Sequence, residues 1–480
     1  MNSVNQRGQA LSPGTAIIGF SLIFGTIIMV ITGEKYAFIY LIAIPALIIS
    51  LVNYEWNFAM WLVCVNVAAG YQELMHEYSL MFRWVMLGIL ASKFALPMIK
   101  KGKTVRSRGI QVGFGLFCFF ALLSTMGSAA FQTSLYRTIS LWLMYFAVFF
   151  SLWRYLDSRK KVDRFIRIWI YIAGAFIVVG LVEGLLGYEE AFLWDRLKGL
   201  YINPNTLGLL DTMYIPLSFW LIINKQFCHK KRWRWFHCFL FGSAVLSLVL
   251  SGSRAAMLGL IAGGIFYLGF RFQRRLIIYF ALLATLAGIF SGFVEEITQT
   301  TFVQDVLYRK ATLEAFGGRK EGWEASLRLY KRNPVLGYGF GTSDIALAAG
   351  GDVRKMAEMQ SGAQTHNNFL RVLLEMGGVG IAFSALFLIS LILSIYRLMK
   401  KIPTRELFDL VSIMVTGIIA GIVDSVFESW MLGVGNLFCV PYWAVVMLIY
   451  RMNYRVDDYV EKDDTIYEGK GHIFRSIIGK

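Results

Sequence analysis

Long apolar stretches separated by short basic or polar ones organise almost the whole of this chain. They fall near residues 15–32, 36–53, 57–70, 80–98, 110–126, 135–153, 165–187, 207–223, 235–250, 255–270, 276–293, 378–396, 408–424 and 434–450. Each is long enough, or nearly so, to cross roughly 30 Å of hydrocarbon as a helix. The third, ninth and tenth stretches fit that length least well. The pattern predicts an all-α polytopic membrane protein with about 12–14 transmembrane helices. The strict apolar/polar alternation of barrel strands is absent. One large polar loop, 294–365, breaks the rhythm and is expected to contain short helices.

Composition agrees: 57% of residues are hydrophobic, 16% are charged, and the mean hydropathy is +0.57. The first residues lack a small-residue cleavage site after a short apolar core, which predicts no cleavable signal peptide. The formal charge of +16 takes its meaning from where the basic residues sit. Lys100, Lys101, Lys103, Arg106 and Arg108 follow the fourth stretch, and Arg154, Arg159, Lys160, Lys161 and Arg164 the sixth. Lys225, Lys230, Lys231, Arg232 and Arg234 follow the eighth, Arg271, Arg274 and Arg275 the tenth. Arg397, Lys400, Lys401 and Arg405 follow the twelfth, Arg451 and Arg455 the fourteenth. Basic residues in short loops stay cytoplasmic during insertion, so even exits and both termini are expected inside. The charge thus reads as topology and attraction to anionic membrane lipid, and no nucleic-acid partner is expected.

The same parity puts Asn203-Pro204-Asn205, Ser251-Gly252-Ser253-Arg254 and the 294–365 loop outside. An arginine at the outer end of a short hairpin runs against the positive-inside bias. Arg254 therefore asks for an anion, either a bound ligand or a lipid phosphate met by snorkelling. Residues Arg319 to Arg332 read as an amphipathic helix with Trp323, Leu327 and Tyr330 on one face, ended by Asn333-Pro334. Gly337, Gly339 and Gly341 then serve as turn formers or present N–H groups to an anion; with no preceding strand they are no dinucleotide fingerprint. Thr365 reads as an N-cap that would put His366 in the first turn of the next helix, where the dipole favours a neutral ring suited to a general base. The other reading of His366 is an interfacial histidine bonded to a neighbour. Glu183, Asp211, Glu375, Asp424 and Glu428 lie near the same outer ends and are read mostly as counter-ions for the arginines.

Five scattered cysteines imply no disulfide framework, and Cys228-His229 with His237-Cys238 lacks zinc-ligand spacing. No metal site and no cofactor are expected. No exterior Asp-x-Asp box is present, so a nucleotide-sugar donor is not expected. The expected organisation is an N-terminal helix bundle (1–190), transmembrane helices bearing the Asn-Pro-Asn and Ser-Arg motifs (191–293), the outer loop (294–365), C-terminal helices (366–450) and a cytoplasmic tail (451–480).

Taken together, Asn203-Pro204-Asn205-Thr206-Leu207-Gly208, Ser253-Arg254-Ala255, Arg319 with Trp323 leading into Asn333-Pro334-x-x-Gly337-x-Gly339, and His366-Asn367 with Gly377 and Gly380 resemble the O-antigen ligase/polymerase superfamily over roughly residues 195–450. The resemblance implies metal-independent, inverting transfer of a glycan from undecaprenyl diphosphate at the outer face of a bacterial cytoplasmic membrane. On that basis Arg254 and Arg319 would bind the diphosphate and His366 would deprotonate the acceptor hydroxyl. Asn203, Asn205, Asn367, Trp323 and Gly339 would line the substrate site. The implied substrates are an undecaprenyl-diphosphate-linked glycan donor and a saccharide acceptor, with a flippase and a chain-length regulator as associated proteins. A polymerase of repeat units for a surface polysaccharide is the leading reading, and a ligase with a lipid-linked core acceptor its near alternative. A flippase would need cationic groups along a path open to both sides, whereas Arg254, Arg319 and His366 all map to one side.

The topology is directly testable: reporters fused after Lys101, Lys230 or Lys401 should report cytoplasm, and one within 340–360 the exterior. A cytoplasmic signal from 340–360 would contradict the orientation.

Overall fold

A computed structural model describes residues 38–70, 73–95, 109–224, 227–228, 230–272, 319–359, 362 and 364–460. The expected spans at 15–32 and 276–293, the basic cluster at 100–108, loop residues 294–318 and the tail from 461 lie outside the described residues. Each of the other twelve apolar stretches corresponds to a helix. They are α1 (Phe38–Val52), α2 (Tyr54–Ala68), α3 (Glu73–Ser92), α4 (Gly109–Met126), α5 (Phe131–Tyr155), α6 (Arg159–Leu185), α7 (Pro204–Ile223), α8 (Lys231–Ser251) and α9 (Arg254–Phe272). The polar loop contributes α10 (Arg319–Tyr330), α11 (Ser343–Ala348) and α12 (Val353–Glu358), and α13 (Asn368–Lys401), α14 (Arg405–Asp424) and α15 (Cys439–Tyr454) complete the bundle. Among the described residues, seven helices are long and apolar enough to cross a membrane, and the chain is an all-α polytopic membrane protein. The last span starts at Cys439 and not near 434; Asn436 holds the turn that leads into it, accepting from Phe438 N and Cys439 N at 2.9 and 2.8 Å.

Helices α14 and α15 are buried along most of their length, as expected for elements surrounded by other helices. Helix α9 approaches α14 backbone to backbone. A Cβ on Gly259 or Gly263 would collide with the carbonyls of Ala420 and Thr416, the close packing that small residues four apart permit. That contact sets the start of α9, and hence Arg254, beside the end of α14. Helix α5 contains a π-helical turn, Ala147–Leu152, and Gln111 Nε2 donates to its Phe149 carbonyl at 2.5 Å.

Helix α13 is broken at Gly377, which has φ 61° and ψ −153°. The segment after α10 fills the break. Tyr338 N and Gly339 N donate to Leu374 O and Glu375 O (2.9 and 3.1 Å), while Gly378 N and Val379 N donate to Pro334 O and Val335 O (2.8 and 3.4 Å). The interruption in one helix is thus repaired by main chain from another segment, so the irregular backbone next to an apolar span leaves these N–H and C=O groups paired. Gly337 and Gly377 are required twice over, by positive φ and by backbone contact where a Cβ would sit.

Gly377→Ala should therefore destabilise the protein by about 2 kcal/mol or more, from backbone strain plus displacement of Val335. Gly378→Ala places its Cβ at an ordinary 3.4 Å from Pro334 O and should change little. Thermal unfolding of the two variants in lipid nanodiscs checks this; equal melting temperatures would contradict it.

Candidate functional site

The site is built around one carboxylate. Glu428 follows the end of α14, where Phe427 N and Glu428 N close the last turn by donating to Asp424 O at 2.8 and 3.0 Å. Its Oε1 accepts from Arg319 Nη2 at 2.6 Å and from Asn205 Nδ2 at 2.9 Å, and its Oε2 lies 3.1 Å from His366 Nδ1. Three groups from α10, α7 and the entry to α13 thus converge on a residue remote from each in sequence. Asn205 is held in turn by Arg196, whose Nη2 donates to Asn205 Oδ1 and whose Nε donates to Ser251 O, both at 2.7 Å. Ser251 ends α8, so Arg196 ties the site to the α8–α9 turn in which Gly252 adopts φ 57°.

Burial alone would raise the Glu428 pKa, but hydrogen bonding and charge from His366 and then Arg319 outweigh it and hold the carboxyl below the usual glutamate value. An ionised carboxylate only accepts, so the proton between the two groups belongs to Nδ1 of His366. In the neutral ring the lone pair is then on Nε2. The His366 side chain is 40% exposed. The pair has the base-and-orienter arrangement that general-base catalysis requires.

The local setting of His366 differs from the sequence expectation. Asn367, not Thr365, caps α13: its Oδ1 accepts from Phe369 N and Leu370 N, both at 2.9 Å, and Thr365 Oγ1 donates to Asn367 O. His366 precedes the helix with φ 46°, so the carboxylate of Glu428, and not the helix dipole, orients the ring. Asn203 is likewise a cap, accepting from Asn205 N at the start of α7, while Asn205 itself reaches the cluster. The N–H of Gly339 is committed to Glu375 O, so the glycine run stitches the helix break and does not present an open anion cradle. The buried face of α10 carries Ser326 and Leu329, with Trp323 and Tyr330 half-buried; Leu327, expected on that face, is exposed.

The arginines divide. Arg319 is paired with Glu428, whereas Arg254 is exposed at the first residue of α9 and has no ion pair among the described residues. Of the acids read as counter-ions, Glu428 serves Arg319, and Glu375 serves Arg371, which donates to it from Nε at 2.8 Å. Asp211 and Asp424 are instead bonded to Ser247 and Trp430. Two participants were missed by sequence reasoning: Arg196, and Glu428 as the organiser of the cluster. Arg196 had a usable signal, because like Arg254 it falls on the side expected to be poor in basic residues.

An apolar groove of about 310 Å³ is lined on α13 from Asn368 and Phe369, just after His366 in the chain, and runs between α4, α13, α14 and α15 as far as Ile110 and Leu391. Asn368 is buried and its Oδ1 has no hydrogen-bond partner, leaving an acceptor in the lining of a mostly apolar channel.

Residues 239–385 match the family model described as O-Antigen ligase. That stretch, well under half of the chain, is what is similar to the O-antigen ligase family. The match runs from α8 into α13, so it includes Arg254, Arg319 and His366 but not Arg196, Asn205 or Glu428. It is consistent with the O-antigen ligase/polymerase superfamily that the motifs resemble, whose members are glycosyltransferase-like membrane enzymes acting on lipid-linked glycans. No curated protein matches the chain.

The depressed Glu428 pKa gives a pH signature. A lowered folded-state pKa contributes stability that is complete above the ordinary value of 4.5 and is lost as pH falls through the folded value. The melting temperature of the native protein should thus exceed that of Glu428→Gln by a constant margin above about pH 4.5, and the margin should shrink below it. A margin that vanished near neutrality would show that Glu428 is not held ionised by Arg319 and His366.

Proposed function

We propose that this protein is a polymerase of repeat units for a surface polysaccharide, transferring a glycan from a polyprenyl-diphosphate carrier to an acceptor hydroxyl at the outer face of the cytoplasmic membrane. The observation that carries the reading is the His366–Glu428–Arg319 cluster at the entry to α13, together with an apolar groove whose lining on the same helix starts at Asn368 and Phe369. A donor with a long hydrocarbon tail and an anionic headgroup needs both halves of that arrangement.

In this reading the acceptor O–H gives its proton to His366 Nε2 as its oxygen bonds to the anomeric carbon. The bond from that carbon to the diphosphate oxygen breaks, and polyprenyl diphosphate leaves with the electron pair. Attack opposite the leaving group inverts the anomeric centre. Glu428 holds Nδ1–H and favours the imidazolium that forms. The guanidinium groups of Arg254 and Arg319 meet the charge that grows on the diphosphate, where planar forks suit phosphate oxygens. Arg196 supports Asn205 and so the alignment of Glu428. The description of the matched family favours a ligase as the second reading. The two share the donor half of the reaction and differ in the acceptor.

Replacing His366 by Ala should lower transfer by on the order of 10²–10⁴-fold, so that carrier-linked repeat units accumulate in cells while polymer disappears. Arg254→Lys and Arg319→Lys keep the charge but lose the bidentate fork, and both should impair polymer formation strongly. Extraction of lipid-linked intermediates and sizing of the polysaccharide, at matched membrane abundance, reads both effects. Normal polymer from His366→Ala rejects the mechanism. EDTA added to the purified enzyme should leave activity unchanged; a requirement for added divalent metal would also reject it.

A further inference from the structure

Between α6 and α7 the chain forms a small hairpin that the proposed chemistry does not use. Strands β1 (Phe192–Leu193) and β2 (Arg196–Leu197) pair antiparallel, with Leu193 opposite Arg196. Trp194 and Asp195 make the two-residue turn, with φ of 50° and 58°. Such turns normally hold Asn-Gly or similar residues, and a bulky side chain at positive φ is an outlier. The base is fixed. Lys198 N and Gly199 N donate to Ala191 O, Ala191 and Leu197 are buried, and Gly199 touches the backbone of Gly180 on α6.

The tip is not buried. Trp194 is 75% exposed, the most exposed tryptophan among the described residues; Asp195 beside it is exposed, as are Glu189 and Glu190 in the 3-10 turn that leads into the hairpin. Two residues beyond Trp194, Arg196 reaches Asn205 and through it Glu428 and His366. An aromatic surface is thus mounted on a rigid base, continuous with the candidate catalytic cluster.

We propose that this hairpin tip is a saccharide-binding platform, with Trp194 stacking on the C–H face of a sugar ring and the neighbouring carboxylates accepting from its hydroxyls. Tryptophan gives a large, rigid, amphipathic contact at small entropic cost, which suits a ligand whose faces are apolar and whose rim is polar. The other occupant for an exposed tryptophan is the lipid interface. The observations favour sugar, because the exposed carboxylates of Asp195 at the tip and of Glu189 and Glu190 in the turn leading into the hairpin oppose insertion among anionic headgroups. The platform would hold a unit of the glycan several groups away from the reacting bond. The proposal rests on the glycosyl-transfer reading, and its test separates the two.

The test uses full-length protein in nanodiscs carrying His366→Ala, so that nothing turns over. The probe is the oligosaccharide repeat released by mild acid from the producing cell's lipid-linked intermediates. With Trp194 intact the probe should bind. Trp194→Ala should weaken it about tenfold and Trp194→Tyr should retain most of the affinity, the range expected for one aromatic contact. If Trp194→Ala binds the probe as tightly as the protein with Trp194 intact, the platform is wrong and the transfer reading stands. If the protein with Trp194 intact binds no oligosaccharide, both fall. Brominated phospholipid in the nanodisc should not quench the fluorescence difference between the protein with Trp194 intact and Trp194→Phe; quenching would assign the tip to the bilayer and overturn the proposal.

Discussion

A single carboxylate joins parts of the chain that nothing else would bring together. Glu428 stands just past the end of α14 and binds Arg319 from the polar loop, Asn205 from the head of α7 and His366 from the entry to α13. A buried carboxylate without partners would be neutral, and then neither guanidinium nor imidazole would gain from approaching it. With its partners it remains ionised, and its charge fixes both the position of the arginine and the tautomer of the histidine. The interaction is therefore mutual: Arg319 and the Nδ1–H of His366 keep Glu428 charged, and Glu428 keeps both groups in place. Removing one member leaves the others with uncompensated charge, which is why such clusters respond to substitution as units.

The apolar framework makes this geometry possible. Backbone contact at Gly259 and Gly263 seats α9 on α14 and brings the Ser251–Arg254 turn to the end of α14 that leads into Glu428. The break in α13, filled by the segment after α10, couples the loop bearing Arg319 to the helix that follows His366. Loop and bundle are consequently one hydrogen-bonded unit at the site. The same break puts Glu375, fully buried, beside Arg371 and Ser343, a second acid–base pair whose role is to hold the loop's α11 against α13.

Much of this was legible from the sequence because hydropathy is a local property. Twelve expected spans correspond to helices, since each needs only its own run of apolar residues. His366, Arg319 and Arg254 stood out because charged or titratable groups near apolar spans are costly. The helix start at His366 was misjudged because Thr365 and Asn367 are both good caps two residues apart. The choice falls to Asn367 through a tertiary contact, Asn368 N to Ser425 O at 2.8 Å, which lies outside the reach of local pattern. The glycine run near 339 was ambiguous for a similar reason: whether its N–H groups are open or committed depends on a break in a helix that begins some thirty residues later. The part played by Glu428 could not be read locally either, because its partners lie 62, 109 and 223 positions away.

Glu428 as the joint holder of donor-binding and proton-accepting groups is the central claim. The most direct test supplies purified protein with a synthetic polyprenyl-diphosphate-linked repeat unit and follows release of polyprenyl diphosphate over a range of donor concentrations. Glu428→Gln keeps the size of the side chain but removes its charge. This variant should lose at least about a hundredfold in kcat and also need more donor for half-maximal rate, because the base and the arginine are released together. Release at the native rate with unchanged donor dependence would contradict the claim.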